Sequence, residues 1–342
     1  ILWTVIVLQK PARPATREVP AGASLPFWRY LIVAKPFLTY EQQIAHLSSK
    51  NMIINNPQFA KQMLMEIGYF SLIVAYKHSF KNPTTKNYRD DVTFEDVVML
   101  YRFDEELRHA FLKPLLAFER TLKTQLAYVF CDRYGDSQNE YLNHANYDYV
   151  PKKQRSIDKL INQFLQPLAL VSKDYPYINH HRDTHGNVPL WVLINALTFG
   201  NASRMFENLP QSLQSAICKN YVLRPHEMAS ILSVITKFRN TCAHGERLFE
   251  LKTKDAIPDL SLHNKLQIRK KGTEYMYGKR DLFSLVIALR YLLSKESYSQ
   301  LIRKISELIA TFTAACEIID QSDLLRRMGF PSNWKMITRY KL

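Results

Sequence analysis

An arginine, an asparagine and a histidine close one helical pattern, Arg239-Asn240-Thr241-Cys242-Ala243-His244, at a spacing that can move protons beside a phosphate. At about 100° per residue, Met228, Ile231, Leu232, Ile235, Phe238 and Cys242 gather on one face. Arg239 falls near the middle of that apolar face, where a guanidinium is costly unless paired and hydrogen-bonded. Asn240 and His244 share a polar flank with Ser233 and Lys237. Attack of a 2′-hydroxyl on its neighbouring phosphate needs a proton removed, a leaving oxygen protonated and added negative charge stabilised. Histidine moves protons near neutral pH, arginine gives fixed donors to phosphate oxygens, and asparagine can orient the imidazole or the ribose. The six residues alone are too short to separate this chemistry from a structural role.

Other candidates surround that helix. Glu119 lies at the edge of an apolar helical face and could pair with Arg239, or could be a solvated carboxylate. Lys123 could touch a phosphate, though a solvated position suits it better. The basic stretch from Lys265 to Arg280, with Lys265, Arg269, Lys270 and Lys271, includes Tyr275 and Tyr277. Those two rings fit stacking on single-stranded RNA and fit a loop packed on the core equally well. His180, His181 and His185 cluster in sequence, but only Asp183 accompanies them, and a metal is not expected there. Cys131, Cys218, Cys242 and Cys316 form no C-x-x-C pair, so zinc is not expected and reduced core thiols are. No Gly-rich phosphate loop is present, and no cofactor is expected.

Charge and composition support a polyanionic partner. The net charge of +15 favours nucleic acid, because neutralised phosphates release counterions. Apolar residues make up 46% of the 342 residues and charged ones 23%, which provides for a packed core. The apolar opening Ile1 to Leu8 is too short to cross a bilayer and lacks a basic segment before it. With no other candidate span, no membrane association and a cytoplasmic location are expected. Residues 1–34 are Pro-rich and read as a poorly ordered extension.

Helical signals fill the rest. Thr39-x-x-Gln42 opens a short helix, and Asn56-Pro57 opens one that stops at Gly68. Gly68 to Phe80 is a second apolar, helix-like stretch, followed by a polar loop to Asp91. Thr93-x-x-Asp96 starts a long helix ending at Tyr134-Gly135, with Leu107, Phe111, Leu115, Phe118, Leu122, Leu126 and Val129 on its buried side. Pro114 should kink it. A helix is expected near Ser156 to Leu170. Another runs from Pro189 to Phe206, with Gly200 as a break or a tight approach. Pro225 to His244 is the motif helix, with Gly245 as its cap. Leu282 to Leu293 and Tyr298 to Ile319 follow. No alternating strand pattern of any length is present, so the fold should be all-α, with residues 35–260 as the main helical domain and residues 261–342 packing on it.

Several blocks in the right order resemble the Abi family of bacterial abortive-infection proteins, the AbiD/AbiF-like group. Lys35-Pro36-Phe37-Leu38-Thr39-Tyr40 is similar to its K-P-x-L-T-Y opening. Ile67-Gly68-Tyr69-Phe70-Ser71-Leu72 is similar to its I-x-Y-Y-R-L segment, with Ser71 in place of the usual Arg. Phe118 to Ala127 resembles its E-R-x-L-K-T-x-x-A helix. Pro189-Leu190-Trp191-Val192 and Leu197-Thr198-Phe199-Gly200 are similar to its P-x-W-V and L-S-F-G blocks. Arg239 to His244 and Met328-Gly329-Phe330-Pro331 complete the set. The resemblance implies a HEPN-like helical bundle with added C-terminal helices, and a metal-independent endoribonuclease in which Arg239, Asn240 and His244 are catalytic. It further implies a homodimer that joins two motif helices, growth arrest or phage defence as the outcome, and kinship with the nuclease domains of RNA-guided type VI CRISPR effectors. Association with a small non-coding RNA is expected as well. The competing expectation is a non-catalytic RNA-binding or protein-interaction module.

Overall fold

Local capping chemistry sets the first helices of the computed structural model, which describes residues 36–169 and 174–341. The Pro-rich extension, residues 1–34, lies outside the described residues. Helix α1 spans Tyr40–Ser48 and α2 spans Pro57–Ile67. At α2 the Asn56 side chain accepts the Phe59 N–H at 3.0 Å, and Pro57 takes the first turn, where its missing N–H does no harm. After Gly68 the chain stays helical in a wide turn, Phe70–Val74, and a tight one, Lys77–Ser79. Helix α3, Phe94–Tyr134, opens on a reciprocal capping box. The Thr93 hydroxyl accepts the Asp96 N–H, and the Asp96 carboxylate accepts the Thr93 N–H.

Helix α3 is the axis of the fold. Its 41 residues reach roughly 60 Å, and Leu107, Phe111, Leu115, Phe118, Leu122 and Leu126 are buried along it, with Val129 at the margin. The helix runs on through Pro114, so the expected kink does not break it. Beyond it come α4 (Gln138–Tyr141), α5 (Gln154–Ala169), α6 (Pro176–His185) and α7 (Leu190–Leu193). Next are α8 (Phe199–Asn208), α9 (Gln211–Cys218), α10 (Pro225–Ala243) and α11 (Ser261–Lys265). The strands β1 (Lys270–Lys271) and β2 (Glu274–Tyr275) form a short antiparallel hairpin, and α12 (Leu282–Leu292), α13 (Lys295–Ala315) and α14 (Gln321–Met328) finish the chain. The all-α expectation holds, since the hairpin is the one sheet among the described residues. The described residues from Tyr40 onward form one compact unit in which α10 and α13 both pack on α3 and α12 packs on both of them.

Two expectations change in detail. The break in the 189–206 region falls at Leu197, whose backbone is extended, and Thr198 then caps α8 by accepting the Asn201 N–H. Gly200 sits inside α8, and a Cβ there would meet the Thr236 methyl at an ordinary 3.7 Å, so no tight approach requires glycine. Helices α6, α9, α11 and α14 go beyond the sequence expectations, and each has ten residues or fewer, too few turns for a period to stand out. Helix α6 buries only Ile178, so it shows no apolar stripe.

The Met328-Gly329-Phe330-Pro331 block has a packing reason. Gly329 ends α14 in the left-handed region (φ 76°), and a Cβ on it would run into the Asp281 carboxyl. Asp281 caps α12 and accepts the N–H groups of Gly278 and Ser284. Burial nevertheless pushes its carboxyl up to about 7 from an ordinary 3.8. The folded chain then keeps a proton that the unfolded chain has released. Its stabilising contribution is full below about pH 4 and fades as pH rises through 7, with a slope of at most about 1.4 kcal/mol per pH unit. Melting temperature should therefore fall across that window, and less so in Asp281→Asn. Parallel pH profiles for the two proteins would contradict this.

Candidate functional site

Helix α10 runs along α3 and delivers Arg239 to Glu119. The Arg239 Nε donates to Glu119 Oε2 at 2.9 Å, and Lys123 Nζ stands 2.9 Å from Glu119 Oε1. Lys123 also donates to the Leu197 carbonyl at 2.5 Å. The Glu119 side chain is 8% exposed and that of Arg239 is 23% exposed. Arg239 thus stands at the edge of the apolar face, with its Nε held by a buried carboxylate. Its two terminal nitrogens have no protein partner among the described residues, which leaves four N–H donors free. Two cations on one carboxylate leave this cluster with a net positive charge. That surplus faces the partly open side of Arg239 and suits an anion.

His244 follows about 7.5 Å further along the axis, at the C-cap of α10. Glu246 N–H donates to the Thr241 carbonyl at 3.1 Å and Gly245 N–H to Cys242 at 3.5 Å, with Gly245 at φ 69°. This is a Schellman ending, in which Gly245 supplies the left-handed residue and turns the chain away from the imidazole. His244 and Asn240 are exposed, and neither side chain has a hydrogen-bond partner among the described residues. Cys242 is different. Burial pushes its thiol up to about 12, so it stays protonated and is no competing nucleophile.

The segment after His244 is pinned from below by residues that sequence reasoning did not select. Asp104, fully buried on α3, accepts the N–H groups of Leu248 and Phe249 at 2.8 and 2.7 Å. It also accepts the Tyr76 hydroxyl at 2.7 Å and the Arg108 guanidinium at 2.9 Å. Burial pushes the Asp104 carboxyl up, and Arg108 and the N–H donors oppose that. Arg108 reaches the Glu246 carbonyl at 3.4 Å, and Arg247 donates to Ala75 at 2.5 Å. The sequence signal was available. Asp104 sits three residues before Leu107 and four before Arg108, a carboxylate on the buried stripe with a cation one turn away.

The remaining candidates divide. Lys123 is neither solvated nor free for a phosphate, because Glu119 and Leu197 occupy its ammonium. Lys237 is exposed on α10. Arg269, Lys270 and Lys271 are exposed at the hairpin, and Lys265 is exposed and bonded to the Lys341 carbonyl. None of these last four hydrogen-bonds to the α10 motif. Tyr275 is a correction: it is 7% exposed, stacked on His263 at 4.8 Å, and its hydroxyl bonds Asn264, so it offers no face to a base. The hairpin register turns it inward opposite Lys270, whose ammonium lies 4.4 Å over the ring. Tyr277 is half-buried. His180, His181 and His185 pack ring against ring on α6, and no trio of His, Cys, Asp or Glu among the described residues is arranged to hold a metal. No helix among the described residues is long and apolar enough to cross a membrane.

Neither a curated protein nor a solved structure matches this chain. A family model described as Abi-like protein matches residues 62–250, more than half of the chain. The matched span runs from α2 past the end of α10 and includes Asp104, Glu119, Arg239 and His244, while the hairpin and the last three helices lie beyond it. The chain belongs to the Abi-like protein family.

Proposed function

We propose that this Abi-like chain is a HEPN-type endoribonuclease of the AbiF-like branch, acting in abortive infection as a growth-arresting toxin. The observation that carries the reading is the pairing of roles on α10. A guanidinium is oriented by buried Glu119 with its tips free, and an unpartnered imidazole is exposed one and a half turns further on. In the proposed reaction the 2′-oxygen attacks phosphorus and the bond to the 5′-oxygen breaks. The products are a 2′,3′-cyclic phosphate and a 5′-hydroxyl. One imidazole takes the 2′-hydroxyl proton and a second protonates the leaving oxygen, which requires two copies of the motif. A homodimer supplies them, and Arg239 carries the added negative charge. Asn240 orients the ribose or the imidazole. Exposed Lys237, Arg269, Lys270 and Lys271 add to the basic surface that would hold substrate and a small regulatory RNA.

Because protons and charge are handled by side chains, cleavage should persist in EDTA and leave cyclic phosphate ends, read by resistance of the product's 3′ end to ligation until the cyclic phosphate is opened and removed. A strict need for a divalent ion, or 3′-hydroxyl ends, would contradict the mechanism. Tight RNA binding with no cleavage under any condition would leave a binding module instead.

A further inference from the structure

We infer that the exposed face of α3 is a track for a single RNA strand, ending in a base-stacking groove between Tyr128 and Trp191. The track rests on the nuclease reading only in naming RNA as the polymer. The groove, about 370 Å³, lies between α3 and α7. Tyr128 is 71% exposed and Trp191 53%, an unusual outlay of two large rings at one spot. Trp191 is also fixed. Its Nε1–H donates to Asp136 at 3.4 Å, and the His181 ring meets it edge-on at 5.5 Å. A rigid, half-open indole facing a groove needs little ordering to stack a planar ring. Asn195 lines the same groove. Its amide nitrogen is held by the carbonyls of Trp191 and Val192, while its side-chain oxygen has no donor among the described residues.

Cations lead to that groove. His109, Lys113, Leu116, Arg120, Thr124 and Tyr128 are all exposed at steps of three or four residues, so they share one side of α3 over roughly 28 Å. Lys113 and Arg120 have no carboxylate partner among the described residues. A second groove, about 310 Å³, lies against α13 and is lined by His109, Lys113 and Lys304. His109 and Lys304 stand 3.8 Å from Glu106, loose pairs that solvent largely screens. The acids at the other end, Asp132 and Asp136, lie beside the rings. Phosphates therefore belong on Lys113 and Arg120, and a base edge carrying an N–H donor belongs at Trp191. Arg120 follows Glu119 directly, so the strand passes within about one helix diameter of Arg239. A duplex would hide the base faces that two open rings are placed to meet.

The test is anisotropy of a labelled, unstructured oligouridylate of roughly 15 nucleotides, bound to the full chain carrying His244→Ala so that it is not consumed. Trp191→Ala and Tyr128→Ala, each added to that chain, should weaken binding by about tenfold or more, without loss of helical circular dichroism. Arg120→Glu should lower the salt slope of log K by about one. Affinities within about twofold for both aromatic variants would overturn the track, even if the wild-type chain cuts RNA. So would duplex RNA bound equally well and blind to the two substitutions, or uridine monophosphate bound as tightly as the oligomer. Conversely, a wild-type chain that cuts nothing, with oligomer binding that depends on Trp191, would remove the nuclease reading and leave the track standing.

Discussion

His244→Ala is expected to leave the chain folded and RNA affinity within about twofold, while cleavage falls by about 10²- to 10⁴-fold. The separation follows from position. His244 is exposed, its side chain has no partner among the described residues, and the helix ends on backbone bonds made by Gly245 and Glu246. Nothing in the cap depends on the imidazole. Arg239→Ala should behave otherwise. It removes one of two cations from a carboxylate that is 8% exposed, so it should lower the melting temperature as well as abolish cleavage. Arg239→Lys should recover part of the stability and little of the activity, because an ammonium cannot hold Glu119 and still present a forked pair of donors. A thermal scan beside a cleavage assay reads both properties. Cleavage by His244→Ala at the wild-type rate would remove the assigned role, and an unchanged melt for Arg239→Ala would show that its pairing contributes nothing to the fold.

The readable parts of this chain are those where one local rule suffices. Asn56-Pro57, Thr93-x-x-Asp96 and the Gly245 ending each satisfy backbone groups within a few residues, and each helix starts or stops where that chemistry places it. The apolar stripe of α3 was legible for the same reason. Burial of Glu119 against Arg239 could be posed from two helical faces. Its second cation was equally local, since Lys123 stands four residues on along the same helix, and only the bond of Lys123 to a carbonyl 74 residues away was out of reach. Tyr275 shows the opposite limit. A tyrosine among lysines has the composition of an RNA contact, and only the two-residue register of the hairpin turns it inward. Asp104 carried one local sign, Arg108 four residues on, but its anchoring role was not legible, because its partners at Leu248 and Phe249 are backbone N–H groups, which any sequence would supply.

Asp104→Ala is expected to cost about 3–5 kcal/mol and lower the melting temperature by roughly 10 °C. The carboxylate serves four donors at once: Tyr76, Arg108 and the N–H groups of Leu248 and Phe249. Alanine leaves Arg108, 3% exposed, with long contacts to the Glu246 carbonyl and Tyr76 and the face of the Tyr101 ring, none of them an anion. A buried guanidinium without its counter-ion is the expensive part, and two orphaned N–H groups add to it. Tyr76→Phe removes one donor to Asp104 and one long contact to Arg108 but leaves the ion pair, so it should cost only about 1 kcal/mol. The same network anchors the chain four residues past His244, so cleavage by Asp104→Ala should be lost even at temperatures where the protein is folded. Tyr76→Phe should retain most of it. If Asp104→Ala melts with the wild type, the network is not holding the segment after α10, and the exposed histidine is positioned by its helix alone.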